Sequence, residues 1–150
     1  MPQSLANVLI HVIFSTKNRL PLITTEIQQE LYAYLATACQ SCQCPAHRIG
    51  GTSDHVHLIA SLSRTASIAD WIGSVKADSS KWAKTNGRRY ARFAWQGGYG
   101  AFSIGQSQLG RVKAYIGRQE EHHRVRTFQE EFREFLKKYE VQYDERYVWD

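Results

Sequence analysis

The segment Asp54-His55-Val56-His57 sets two imidazoles on either side of one aliphatic residue. In a β-strand, alternation sends His55 and His57 to one face and Val56 to the other. Side chains two positions apart on a strand stand ~7 Å apart, close enough to converge on one divalent ion. The same spacing is also met on strands that merely present a polar face. A second group is Tyr115-Ile116-Gly117-Arg118-Gln119. Helical spacing puts Tyr115 and Gln119 on one face, with His122 further along the same stripe. A phenol there is a candidate nucleophile, although a tyrosine on a helix is more often a packing residue. His123 reads as structural. A third group, Cys39, Cys42, Cys44 and His47, has the residue types of a zinc site. Its simpler reading is a helix end with free or buried thiols.

The elements that must position these residues can be read from hydrophobic periodicity. Asn7 to Thr16 is β-branched and apolar, as a central strand requires. Thr24 and Thr25 open a helix in which Ile27, Leu31, Tyr34, Leu35 and Ala38 recur at helical spacing. His47 to Gly51 and His55 to Leu62 read as two strands across a Gly51-Thr52-Ser53-Asp54 turn. Ser67 to Lys84 is a second helix, Phe93 to Ile104 a strand or hairpin, Gln108 to His123 a third helix and Phe128 to Tyr139 a fourth. The first six elements run β-α-β-β-α-β, the ferredoxin-like order. The expected fold is therefore α+β: a ferredoxin-like sandwich with an antiparallel sheet, followed by C-terminal helices, one of them carrying Tyr115. In that topology the first and third strands are neighbours, so His11 joins His55 and His57 on one face.

The chain has 150 residues, 43% of them hydrophobic and 22% charged. That balance suits one globular domain, residues 1–150, and excludes intrinsic disorder as the main state. No apolar run approaches the ~18 residues of a membrane span and no signal peptide is evident, so a cytoplasmic protein with no membrane partner is expected. Three cysteines are too few for a disulfide framework. The net charge of +5 is unevenly spread: Arg64 to Arg118 holds ten Lys/Arg against Asp70 and Asp78, a local excess of +8. Such a segment suits a polyanionic partner, nucleic acid before membrane. Lys17, Arg19, Lys76, Arg88, Arg89, Arg92 and Arg118 are its candidate contacts. Trp82, Tyr90, Phe93 and Trp95, interleaved with them, offer rings on which single-stranded bases could stack. Phe93 and Trp95 also read as strand core residues, the favoured reading for at least one of them.

Taken together these blocks resemble the HUH (histidine, bulky hydrophobic, histidine) single-tyrosine transposases of the insertion-sequence-200 type and their relatives, the REP-associated tyrosine transposases. The likeness runs from His11-Val12-Ile13-Phe14-Ser15-Thr16-Lys17-Asn18-Arg19 through Gly50-Gly51-Thr52-Ser53-Asp54-His55-Val56-His57. It continues in Trp95-Gln96-Gly97-Gly98-Tyr99-Gly100-Ala101-Phe102-Ser103 and on to Tyr115-Ile116, Gln119 and His122-His123. Gly117, inside the expected tyrosine helix, departs from the pattern and costs that helix ~1 kcal/mol against alanine. The resemblance implies that His55, His57 and Gln119 bind Mg²⁺ or Mn²⁺ and that Tyr115 attacks a phosphate of single-stranded or hairpin DNA, leaving a 5′-phosphotyrosine and a free 3′-OH. His11, Asp54 and His122 would support them. It also implies a homodimer whose active sites are composed in trans. Two rival readings are a replication-initiator or relaxase-type HUH nuclease and a domesticated protein that only binds DNA hairpins.

Overall fold

The computed structural model describes residues 2–150. The elements run β1 (Leu9–Ser15), α1 (Thr25–Ser41), β2 (Ala46–Gly51), β3 (His55–Ser61), α2 (Ile68–Lys84), β4 (Gly100–Ile104), α3 (Leu109–Gly117), α4 (Gln119–His122) and α5 (Phe128–Lys138). The four strands form one antiparallel sheet in the order β2-β3-β1-β4. As expected, β1 and β3 are adjacent and central. Every residue of β1 is buried, which explains its unbroken apolar run: both faces of the sheet are covered.

One face packs on α1 and α2. Val12 and Phe14 of β1, Val56 and Leu58 of β3, Leu31 and Leu35 of α1 and Ile72 and Val75 of α2 make a continuous apolar core. Helix α2 starts where Ser67 accepts a hydrogen bond from the Asp70 amide. The opposite face carries His11, Ile13, His55, His57 and Ile59, and it is covered by α3 and α5. Two glycines allow that cover to come close. A Cβ on Gly50 would lie 2.5 Å from the Ile116 carbonyl oxygen, so only glycine lets the α3 backbone rest on β2. A Cβ on Gly100 would lie 2.7 Å from the Phe132 ring, which seats α5 over β4. No helix among the described residues is long and apolar enough to cross a membrane.

Three expectations are corrected. The last strand is only Gly100–Ile104; Phe93 and Trp95 precede it, with Trp95 bridging to Thr16 and Phe93 fully buried. The tyrosine helix is not continuous from Gln108 to His123: it ends at Gly117, Arg118 turns the chain at φ −112°, ψ 27°, and Gln119 starts α4. Gly117 therefore sits at a helix end, where its interior penalty does not apply. The aromatic platform is also dispersed. Phe93, Trp95 and Tyr90 belong to the apolar core, and Trp82 stacks on Tyr34 with ring centroids 5.3 Å apart.

Candidate active site

Strand alternation delivers His55 and His57 to the face under α3 and α5, while Val56 enters the apolar core. Both imidazoles are completely buried. A buried polar ring needs partners, and each has one on both ring nitrogens. His55 Nδ1 lies 2.7 Å from Asp54 Oδ1 and 3.0 Å from Thr52 Oγ1. The carboxylate can only accept, so Nδ1 carries a hydrogen, and in the neutral ring Nε2 then presents a lone pair. Burial works to raise the Asp54 pKa, but the hydrogen bond and charge of His55 hold it below the usual value. His57 Nδ1 lies 2.9 Å from His11 Nε2, and His57 Nε2 lies 2.8 Å from Glu131 Oε1. Burial pushes the pKa of His57 down to about 4 and that of His11 well below its ordinary value. Both rings are thus neutral near pH 7, as metal-ligating and supporting histidines must be.

From the helices above and the residue that closes α4 come Tyr115, Gln119, His122 and His123. Gln119 is buried and sets its Oε1 3.0 Å from His55 Nε2. Two lone pairs facing each other at that distance repel unless a cation or a proton lies between them. Turning the amide over would relieve this only by stranding its oxygen, just as its buried Nε2 now lacks a partner. His123 Nε2 is also buried without a hydrogen bond, though it lies 3.2 Å from Glu131 Oε1. His55 Nε2 and Gln119 Oε1 thus stand as two facing lone-pair atoms, the arrangement that two ligands of one cation adopt. His55, His57 and Gln119 fit the divalent ion that the sequence resemblance implied. His123, read from sequence as structural, belongs to this cluster: its ring centroid is 4.4 Å from that of His55. Among the described residues, the metal-capable group of His, Cys, Asp and Glu side chains is His55, His57, His123 and Glu131. The cysteines do not assemble with His47, whose Nε2 instead lies 2.7 Å from Ser61 Oγ.

The Tyr115 hydroxyl donates to Glu131 Oε2 and accepts from an Arg126 guanidinium nitrogen 2.5 Å away. Its ring stacks on His122, centroids 4.3 Å apart, and stands 5.9 Å from His57. Burial, then the hydrogen bond and charge of Glu131, push the phenol's pKa well above its ordinary value. Glu131 is wholly buried; burial works to raise its pKa, but the nearby His123 ring and the hydrogen bonds from His57 and Tyr115 hold it well below the usual carboxylate range. The break at Arg118 leaves Tyr115 and Gln119 on the same site, and both reach the histidines of their own chain.

Beside Gln119 opens a cavity of about 640 Å³ whose lining includes Arg48, Arg118 and Arg124 as well as Glu120 and Glu121. Of the basic residues singled out in the sequence, Arg118 is at this groove, whereas Lys17, Arg88, Arg89 and Arg92 are exposed elsewhere. Arg19 lies over the Trp149 ring at 5.8 Å. Lys76 must be reassigned: its ammonium bonds the carbonyls of Gln96 and Gly98 and sits 5.0 Å from the centre of the Phe14 ring. Burial lowers its pKa to about 8, as suits a clamp between α2 and the segment before β4.

Sequence reading missed Glu131, Arg126 and the true place of His123. Glu131 was legible in principle, because it interrupts the apolar stripe Phe128, Phe132, Phe135, Leu136 of an otherwise amphipathic helix. Arg126 left no such signal, since it lies in the turn before α5.

The fold resembles the solved structure of an assigned transposase from Deinococcus radiodurans R1, with a TM-score of 0.62 at 17% identity over 79% of this chain and 98% of that one. It also resembles a REP-associated tyrosine transposase solved bound to a REP hairpin, with a TM-score of 0.57 at 14% identity over 82% of this chain and 74% of that one. No curated protein matches the sequence. Residues 4–119 match the family described as "Transposase IS200 like", a span from before β1 to Gln119, and the chain belongs to that transposase family.

Proposed function

We propose that this transposase cleaves and rejoins single-stranded DNA near hairpins, in the cytoplasm, through a 5′-phosphotyrosine on Tyr115. One observation carries the reading: Tyr115, Gln119, His55 and His57 meet on one buried face in a single chain. A divalent ion, Mg²⁺ or Mn²⁺, held by His55, His57 and Gln119, would polarise the scissile phosphate. The chain's own groups do the rest. Tyr115 Oη forms a bond to phosphorus while the bond from phosphorus to the 3′ oxygen breaks, and the phenolic proton ends on that oxygen as a 3′-OH. The bond energy stays in the phosphotyrosine, so a later 3′-OH can attack it and rejoin strands without a nucleotide cofactor. At rest the phenol is held protonated by burial and by its bond to Glu131, which keeps the nucleophile from spurious reaction. Arg126 donates to the same oxygen and is placed to stabilise the phenolate that must form. Asp54 and His11 fix the outer nitrogens of His55 and His57, and His122 holds the tyrosine ring by stacking.

The REP-associated neighbour was solved on a hairpin, and the arginine-lined cavity beside Gln119 supports a similar substrate here. Lys17, Arg19, Arg88, Arg89, Arg92 and Arg118 remain the proposed phosphate contacts, joined by Arg48 and Arg124.

The expected homodimer with trans sites meets a different geometry in this chain, where Gln119 lies 3.0 Å from its own His55. We read the site as closing in cis. Mixing His57→Ala with Tyr115→Phe chains decides it. No recovery of cleavage, in dimers shown to exchange subunits or in protein that stays monomeric, supports cis closure; recovery overturns it. For the chemistry itself, a hairpin substrate with a phosphorothiolate at the scissile position should trap a protein–DNA adduct in Mn²⁺ and none in EDTA. Adduct formation unaffected by EDTA would refute the metal-assisted reading, and hairpin binding without any adduct would favour the domesticated binding protein.

A further inference from the structure

Glu131 lies on α5, beyond the residues that match the family, and the reaction as described uses it only to hold the Tyr115 hydroxyl at rest. Its carboxylate is nevertheless completely buried at the convergence of the site. Oε1 is 2.8 Å from His57 Nε2, 3.2 Å from His123 Nε2 and 3.7 Å from His55 Nε2. Only the contact with His57 is a directed hydrogen bond; His123 Nε2 makes none. One oxygen thus faces three imidazole nitrogens but satisfies one. The other, Oε2, accepts from the Tyr115 hydroxyl. Arg126 stands 3.6 Å from Oε2, while its closer contacts go to Glu134 and Tyr115, so it compensates the buried charge only in part. A carboxylate in this position is costly to bury unless it is paired or coordinates a cation.

The donor atoms of His55, His57, His123 and Glu131 all lie within 4.8 Å of one another. Opposite ligands of an ion with bonds of ~2.1 Å stand ~4.2 Å apart, so a contraction of well under 1 Å would close the set. Charge favours the same conclusion. Two imidazoles and an amide are neutral and leave both positive charges of the ion uncompensated, whereas a carboxylate removes one and shifts preference towards hard ions such as Mg²⁺ and Mn²⁺.

We propose that Glu131 is a carboxylate ligand of the histidine metal centre, binding through Oε1 while Oε2 holds the Tyr115 hydroxyl beside that centre. One side chain then couples the metal to the nucleophile, and it comes from the helix after the tyrosine rather than from the HUH strand. The inference rests on the metal-site reading above.

The test is Mn²⁺ binding to the full chain without DNA, followed by calorimetry and by the Mn²⁺ electron paramagnetic resonance signal. Wild-type protein and Tyr115→Phe should bind one ion alike, His57→Ala should bind none, and Glu131→Gln should bind about 10- to 100-fold more weakly. Glu131→Gln binding as tightly as wild type, with His57→Ala still defective, overturns the proposal and spares the metal site. His57→Ala binding as well as wild type overturns the metal site itself. Should Glu131→Gln fail to fold, the infrared difference spectrum of the wild-type protein with and without MnCl₂ decides. A shifted glutamate carboxylate stretch, retained in Tyr115→Phe, supports the proposal, and a difference spectrum without a carboxylate band overturns it.

Discussion

The two faces of the sheet share the same strands yet obey different rules. Under α1 and α2, Val56, Leu58 and Val12 meet Leu31, Leu35 and Ile72 in an apolar layer. Under α3 and α5, the residues between them, His55, His57 and His11, meet Gln119, Tyr115 and Glu131 in a buried polar network. Consecutive residues of one strand thus serve stability and chemistry separately. His57 and Leu58 make the contrast testable.

The largest effect should fall on the polar face. Tyr115→Phe removes one hydroxyl; adduct formation should drop about 10⁴-fold or more, while the unfolding free energy stays within about 1 kcal/mol of wild type, as denaturant titration would show. Leu58→Ala, one residue from His57 but fully buried in the opposite layer, should do the reverse. It should cost about 2–5 kcal/mol of stability, with the adduct still forming in whatever fraction remains folded. If Leu58→Ala abolished metal binding in folded protein, the separation of faces would fail.

Between pH 6.5 and 4, acid should act through the histidines of the polar face. His57 has its folded pKa lowered from 6.5 to about 4 by burial, and His11 is lowered likewise. Between those values the unfolded chain takes up protons that the folded one refuses. Stability is therefore complete above about pH 6.5 and declines as pH falls towards 4, by up to about 1.4 kcal/mol per pH unit for each such histidine. Glu131, whose folded pKa is lowered, adds a further loss below its ordinary value of 4.5. Replacing His57 and His11 together by Asn should flatten the pH 4–6.5 limb in thermal melts; an unchanged limb would place the acid sensitivity elsewhere.

Smaller effects separate binding from folding among the lysines and arginines. Arg124→Ala, at the cavity beside Gln119, should weaken hairpin binding and lower the slope of log affinity against log salt by about 1. Lys76→Met should leave that slope unchanged and cost about 1 kcal/mol of stability, because its ammonium is committed to the Gln96 and Gly98 carbonyls.

The same division governs what could be read from the residues alone. Periodicity located every helix and strand of the apolar layer, because alternating and helical spacings are local properties. The HUH strand and its neighbour His11 followed from topology. Three things were not local. The break at Arg118 falls just past the residue of α3 that rests on Gly50, a contact between distant segments, and helical spacing alone runs on through it. Phe93 and Trp95 carry strand-like composition but fold into the core ahead of β4. Glu131 acquires its role only when α5 returns to the sheet, 74 positions away from His57. Lys76 shows the converse error: a lysine in a basic segment counts towards net charge even when two backbone carbonyls consume it.

The most direct measurement is to map the covalent product. Protein trapped on a single-stranded hairpin substrate in Mn²⁺ would be digested with trypsin and nuclease, and the nucleotide-bearing peptide sequenced by mass spectrometry. The phosphate should sit on Tyr115, in the peptide Ala114–Arg118, and should be absent from Tyr115→Phe. A phosphate on any other residue, or an adduct that persists in Tyr115→Phe, would contradict the assignment of this tyrosine and its histidine face as the reacting centre.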